Sequence, residues 1–438
     1  MKSIWTEGIG APRLGRLSGN ESTDVLIVGG GIAGILCAYK LKKAGVRCLL
    51  VEADEICGGT TGYTTAKITL SHGLIYRKLI KRFGEDKARL YAEAQQRAIG
   101  EYRELASRID CGFAERDSYV YSLNDKGVID GELAALRTLG IDAEFSLAEE
   151  LPFKTAGAVR LRRQAALHPL KLLYTLSAEL PIYTHTKVRE LMPQRAITDR
   201  GEISFKRLVV ATHFPILNKH GLYPLKLYQH RSYVLALKGA QFPTGMYVDG
   251  SGKGLSFRPE GEVLLLGSGG HRTGKRSEGW SPAEGIARKY YEDAEEVARW
   301  ATQDCMTLDG VPYIGQYSPA TQDVYVITGF NKWGMTNAMV GAGLITDLVR
   351  GKQSRYTSVF TPKRSILRPA LAKNALESVL GLLTPTLPRC PHLGCALKYN
   401  RAEHSWDCPC HGSRFTEEGE LIENPATDDL KGKREERS

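Results

Sequence analysis

Apolar residues in the first quarter of the chain fall into two spacings. Residues 24–28 are a continuous run, Asp24-Val-Leu-Ile-Val, which predicts a strand buried on both faces. Residues 35–44 carry apolar positions three and four apart and predict a helix, and 45–52 predict a second strand that ends in an acid. A long helical pattern covers 74–109. Short runs at 184–190, 208–212, 233–237, 245–248, 254–258, 262–266 and 324–328 read as strands. An apolar helix then extends to residue 349, and a shorter helical stretch covers 371–383. The alternation at the front predicts a parallel α/β sheet, and the strand-rich middle predicts a second, mixed sheet of α+β type.

Composition narrows this picture. At 438 residues the chain accommodates two or three domains, and 42% hydrophobic with 25% charged residues is ordinary for a globular protein. The net charge of +10 is spread among nearly as many acids, with no basic run interleaved with aromatics, which argues against nucleic-acid binding. No stretch reaches the roughly 18 apolar residues of a spanning helix. Residues 1–22 lack the apolar core of a secretory signal, so a cytoplasmic setting is expected. Five scattered cysteines (Cys37, Cys48, Cys57, Cys111, Cys305) suit a reducing compartment. The tail 431–438 is highly charged and is expected to be disordered.

Candidate chemistry lies at both ends. The first strand runs into Gly29-Gly-Gly31-Ile-Ala33-Gly34, a G-x-G-x-x-G turn. Gly29 allows the tight turn, Gly31 lets a pyrophosphate approach the backbone, and Gly34 lets helix and strand pack closely. The helix N-terminus faces the phosphates, and Glu52 is placed for ribose hydroxyls. This unit alone does not distinguish NAD from FAD. Near the other end stand Cys390-Pro-His392-Leu-Gly-Cys395 and Cys408-Pro-Cys410-His411-Gly-Ser413. A mixed-ligand [2Fe–2S] cluster needs two thiolates on one iron and two imidazoles on the other. Zinc is the competing occupant, since short-spaced Cys/His pairs also bind it.

The C-terminal array resembles the Rieske iron–sulfur proteins of cytochrome bc-type complexes. The resemblance implies Cys390 and Cys408 on one iron, His392 and His411 on the other, and a Cys395–Cys410 disulfide. Gly394 and Ser413 also match, and Asn424-Pro425-Ala426 resembles the proline loop that shields the cluster. Phe415 departs from the pattern, which has a tyrosine there. The linker from Lys352 to Cys390 is short, so a shortened Rieske base resting on the rest of the protein is expected.

Residues 22–352 resemble the glycine/D-amino-acid oxidase family of FAD enzymes. The likeness is carried by the glycine turn, by Gly58-Gly-Thr60-Thr61-Gly62-Tyr63-Thr64-Thr65-Ala66-Lys67, by Asp309-Gly310-Val-Pro-Tyr313-Ile-Gly315, and by Gly329-Phe-Asn-Lys332-Trp333-Gly334-Met335-Thr336-Asn337. It implies FAD contacts from these segments, from Val188 against adenine, and from Ala211 and Thr212. His213 stands where the family has glycine. Cys305 is at the wrong offset from Asp309 for covalent flavin attachment. Candidates for contacting substrate or flavin are His72, Tyr233, Arg258, His271 and Lys332, with Arg258 suited to a substrate carboxylate. The expected division is an FAD-binding domain at 1–80, 155–215 and 300–355. A substrate domain at 81–154 and 216–299, a linker at 356–384 and a Rieske domain at 385–438 complete it. The resemblance implies oxidation of an amine or amino-acid C–N bond, with electrons leaving singly through the cluster to an external carrier. Inward electron flow and a non-catalytic relay or sensor are the alternatives.

Overall fold

The computed structural model describes residues 2–217, 220–252 and 254–430; the charged tail at 431–438 lies outside the described residues. Strand Glu21–Val28 pairs in parallel with Gly201–Val210 on one side and Cys48–Val51 on the other. Thr321–Thr328 extends the parallel order, Tyr313–Ser318 closes that edge antiparallel, and Ile182–Tyr183 forms the opposite edge. Leu26 and Val28 enter one apolar cluster while Val25 and Ile27 enter another, so both faces of the strand are covered. That explains a run without alternation. Helices Ile32–Lys43 and Gly334–Val349 pack together in the larger of these clusters.

The glycines at the end of the first strand have a steric cause. Gly29 has φ +112°, and a Cβ there would lie 2.6 Å from the Ala211 carbonyl oxygen. A Cβ on Gly34 would collide with the Gly29 carbonyl oxygen. The strand, the helix and the neighbouring strand can meet only without these two side chains.

The second sheet runs in the order Glu295–Thr307, Leu227–Lys238, Val263–Arg272, Ser256–Glu260, Met246–Asp249, Ala114–Ser122, Gly157–Ala166 and Lys67–Ile68. Only Met246–Asp249 and Ala114–Ser122 pair in parallel. Two stretches expected with the first sheet pair here instead. Gly157–Ala166 runs the length of Ala114–Ser122, and Glu295–Thr307 the length of Leu227–Lys238. The chain therefore leaves this sheet after Ala166 and again after Thr307. The helix expected at 74–109 is two helices, Tyr76–Phe83 and Glu85–Ala106, broken where Gly84 takes φ +82°. The strand expected from 184 begins only at Val188, because His185 turns the chain with φ +46°.

Residues 356–384 form more than a linker. They contain helices Thr357–Phe360 and Pro369–Leu383. Arg364 forks onto Asp309 at 3.0 and 3.1 Å, and Asn374 donates to the Leu225 and Leu227 carbonyls. A four-stranded antiparallel sheet follows, Lys398–Asn400, Ser405–Asp407, Arg414–Thr416 and Leu421–Glu423, each strand three residues long.

Candidate active site and metal centre

A cavity of ≈1430 Å³ is lined by both large sheets and by the last strand of the small one. One part is bounded by the glycine turn. There the Gly30 amide donates to Glu52 Oε2 at 2.5 Å and the Asp54 amide to Oε1 at 3.1 Å. Burial pushes the Glu52 carboxyl up, against the pull of these amides. The hydroxyl-rich loop is fixed from several sides. Ile32 N–H donates to Thr61 Oγ1, Thr60 Oγ1 donates to the Gln303 carbonyl, and Trp5 and Trp300 hold the Thr64 and Tyr63 carbonyls.

The opposite wall is built on a strained turn. Asn331 and Lys332 both have positive φ, 53° and 73°. Asn331 is held by amide and hydroxyl donors of Thr307 and by its own bond to the Gly329 carbonyl. Strain that is fixed this firmly is a mark of a functional segment. The turn presents half-buried Lys332, whose Nζ donates to Ser232 Oγ at 3.0 Å. Burial lowers the Lys332 ammonium, opposed by Asp304, while burial raises the Asp304 carboxyl against the pull of Lys332. His230 sits beside them, neutral because burial lowers it to about 3, and its Nδ1 has no hydrogen-bond partner among the described residues.

The cysteine and histidine loops form a second centre. The Cys408 thiol hydrogen-bonds Cys390 and holds it down to about 7, and Ser413 bonds the same sulfur. The His392 and His411 rings lie 5.0 Å apart at 90°, kept neutral by burial with values lowered to about 4 and about 3. Cys395 and Cys410 are joined as a disulfide beside Cys408, so the close grouping of these three sulfurs is a bridge next to one thiol. Gly394 and Gly412, at φ +77° and +87°, turn the loops back so that Gly394 N–H reaches the Cys390 carbonyl and Gly412 N–H the Cys408 carbonyl.

The two centres share walls. Phe214 stands edge-on to both imidazoles, at 6.4 and 6.1 Å, while its neighbour His213 lines the cavity. Asn424 Nδ2 donates to the carbonyls of Thr212 at 2.5 Å and Phe214 at 3.1 Å. Gln303 Nε2 donates to the Gly412 carbonyl at 2.8 Å.

The family profile FAD dependent oxidoreductase matches residues 24–348. The chain belongs to this family. A second profile, Rieske [2Fe-2S] domain, matches residues 381–433. The chain is thus a flavin oxidoreductase whose larger part binds FAD and whose C-terminal module binds a [2Fe–2S] cluster. It is 34% identical to the putative Rieske 2Fe-2S iron-sulfur protein YhfW of Bacillus subtilis (strain 168), over 98% of this chain and 97% of that one. Gamma-glutamylputrescine oxidoreductase of Escherichia coli (strain K12) is 24% identical over 77% of this chain and 86% of its own. Among solved structures, glycine oxidase from Geobacillus kaustophilus superposes with a TM-score of 0.67 at 19% identity, over 79% of this chain and all of that one.

The residues present fit both groups. The glycine turn borders a cavity large enough for a dinucleotide, and a Cβ on Gly31 would press on Thr61 Oγ1 at 3.2 Å. At the metal centre two adjoining thiols stand beside the backbone of His392 and His411, whose rings are neutral, and the buried His411 Nδ1 has no hydrogen-bond partner among the described residues.

Of the residues expected at the cofactor, Gly29, Gly31, Ala33, Glu52, Thr60, Thr61, Thr64, Thr65, Lys67, Val188, Ala211, Thr212, Asp309, Gly310, Gly329, Trp333, Gly334 and Met335 line the cavity. Gly34, Ala66 and Thr336 do not: Gly34 packs on Gly29, Ala66 is buried, and the Thr336 hydroxyl bonds His72 Nε2. His72, Tyr233 and Lys332 line the cavity as well. His72 is committed to Tyr91, Thr69 and Thr336 and stacks on Trp333, so it positions the turn. Arg258 is not placed to hold a substrate. It is fully buried, bonded to the Glu260 carboxylate and the Leu167 carbonyl, and lies over Trp5. His271 also lies off the cavity lining, stacked on Tyr233. Asp304, His230, Ser232, Gln303 and Arg364 were not singled out in the sequence. His230, Ser232, Gln303 and Asp304 lie outside the strands read from the sequence, and Arg364 lies in the expected linker.

The cluster environment carries a prediction. Ser413 Oγ accepts from Ala426 N–H at 2.9 Å and bonds Cys390 sulfur, whereas buried Phe415 offers no hydroxyl. Hydrogen bonds to cluster sulfurs raise the reduction potential. Phe415→Tyr is expected to raise the midpoint and Ser413→Ala to lower it, read by EPR-monitored titration. A potential unmoved by both substitutions would show that these side chains do not tune the cluster.

Proposed function

We propose that the protein oxidises a C–N bond of an amine or amino acid and passes the electrons singly from reduced flavin, through the Rieske cluster, to an external acceptor. Bound FAD supplies a two-electron acceptor and the cluster a one-electron acceptor. Glycine oxidase and gamma-glutamylputrescine oxidoreductase, to which the chain is similar, support the substrate class by their names. The polar corner of the cavity supports it by chemistry. Lys332 and Asp304 are half-buried, of opposite charge and within electrostatic reach of each other. Such a corner matches the carboxylate and amine of an amino acid.

The observation that carries the coupling is Gln303. Its carbonyl accepts the Thr60 hydroxyl of the FAD loop at 2.8 Å, and its side chain donates to Gly412, next to His411. One buried residue on strand Glu295–Thr307 therefore touches both cofactor loops.

Anaerobic mixing with a panel of amines and amino acids is expected to bleach the flavin absorbance first and to raise the reduced-cluster EPR signal second. Gln303→Leu is expected to slow the second phase and leave the first. If steady-state turnover delivers all its electrons to O₂ at a rate untouched by His411→Ala, the cluster is off the path and the proposal fails.

A further inference from the structure

Nine of the fifteen large apolar side chains exposed among the described residues fall between Leu367 and Tyr399. Five lie on helix Pro369–Leu383, and four of them, Leu376, Val379, Leu380 and Leu383, have the i, i+3, i+4, i+7 spacing of one helical stripe, with Leu382 beside it. This stripe faces outward. The inward side of the helix carries Asn374 and Gly381, and Gly381 sits so close to the disulfide that a Cβ would meet Cys410 Sγ at 2.5 Å. Leu383, Leu387 and Leu393 extend the apolar face to the cluster loop, with Leu383 75% and Leu387 80% exposed. Leu393 adjoins His392, which is the more accessible of the two histidines.

Along residues 357–398 nearly all the charge is positive. Lys363, Lys373, Arg389 and Lys398 are exposed within this stretch of the chain. The one acid between 357 and 398 is Glu377, and it is taken by Lys275 at 2.5 Å. Among the described residues no helix is long and apolar enough to cross a bilayer. A short surface helix with an outward leucine stripe and a cationic rim is instead built to lie in the plane of an anionic lipid interface.

We propose that the protein docks on anionic lipid bilayers through the outer face of helix Pro369–Leu383 and the adjoining Leu387 and Leu393. Docking there sets the His392 edge of the cluster against the lipid surface. The external electron carrier is then one that resides in or on the membrane. That consequence rests on the outward electron flow proposed above. Lipid binding is measured without any substrate, so either reading can fail while the other stands.

The test is flotation of the full-length holoprotein with vesicles of phosphatidylcholine, with and without phosphatidylglycerol. Wild-type protein is expected to float with the anionic vesicles, less so in high salt, and to stay behind with phosphatidylcholine alone. Leu380→Ser/Leu383→Ser is expected to weaken binding by at least about tenfold. Lys363→Glu/Lys373→Glu, which leaves the leucines in place, is expected to weaken it too. Flavin and cluster absorbance at wild-type levels establishes that both variants are folded. Absence of flotation with either lipid, or flotation unchanged in both variants, overturns the proposal. So does a solution dimer that the leucine variant splits while vesicle binding is absent, which would give this face to a second copy of the chain.

Discussion

Glu403→Gln is expected to cost about 3–5 kcal/mol of stability, the range for breaking a buried ion pair from one side. Arg231, on the second sheet, is 1% exposed, and its guanidinium meets Glu403 and Glu423 of the small sheet. Arg414 bonds the same two acids and Asp407. Without the Glu403 charge, Arg231 and Arg414 keep only Glu423 and Asp407, in a site with little water. Burial would raise the Glu403 carboxyl, but Arg231 and Arg414 outweigh it and hold it below the usual range. Its stabilisation is therefore full above the unfolded carboxyl value and is lost as pH falls through the lower folded value. Thermal unfolding and limited proteolysis of Glu403→Gln should show the small sheet released first. A melting temperature equal to wild type would mean that the network adds nothing to docking.

Lys332→Met is expected to lower kcat/KM for the preferred amino acid by about 100-fold, the scale of one buried hydrogen bond to a charged group. The backbone of the turn should survive, because Asn331 and Thr307 hold it independently of the Lys332 side chain. FAD absorbance and the cluster EPR signal should then match wild type. Burial lowers the Lys332 ammonium from its ordinary value. Capture of a carboxylate should therefore fade as pH rises through that lowered value, giving an alkaline limb in kcat/KM that is missing in Lys332→Met. If the limb persists in the variant, another group causes it. If both parameters equal wild type, Lys332 lies outside the substrate's reach.

The glycine turn was legible in the sequence because its chemistry is steric. Gly29 and Gly34 are required by two backbone collisions, and any strand–turn–helix of this closeness shows the same spacing. The cluster loops were legible because metal ligands and the turns between them must be close in sequence. Arg258 was not legible. A carboxylate-binding arginine and a buried structural one look alike until Glu260, Leu167 and Trp5 are seen around it. Gln303 was hidden for a related reason, since its partners Thr60 and Gly412 lie 243 and 109 residues away. Which sheet a segment joins was not legible, because strand pairing decides it and Gly157–Ala166 carries no mark of its partner Ala114–Ser122. The expected linker held Arg364 and Asn374, whose roles exist only once Asp309 and the Leu225 and Leu227 carbonyls are brought near.

Residues 421–424 line the FAD cavity, and Asn424 caps the carbonyls of Thr212 and Phe214. The segment that carries these residues follows both cluster loops, and so leaves the ribosome after them. A nascent chain consequently has the glycine turn, the hydroxyl loop and Lys332 long before it has this wall. Assembly thus has a direction: the nucleotide chamber stays ajar until the metal module has been made, and a chain stopped at residue 420 is left with an unfinished door.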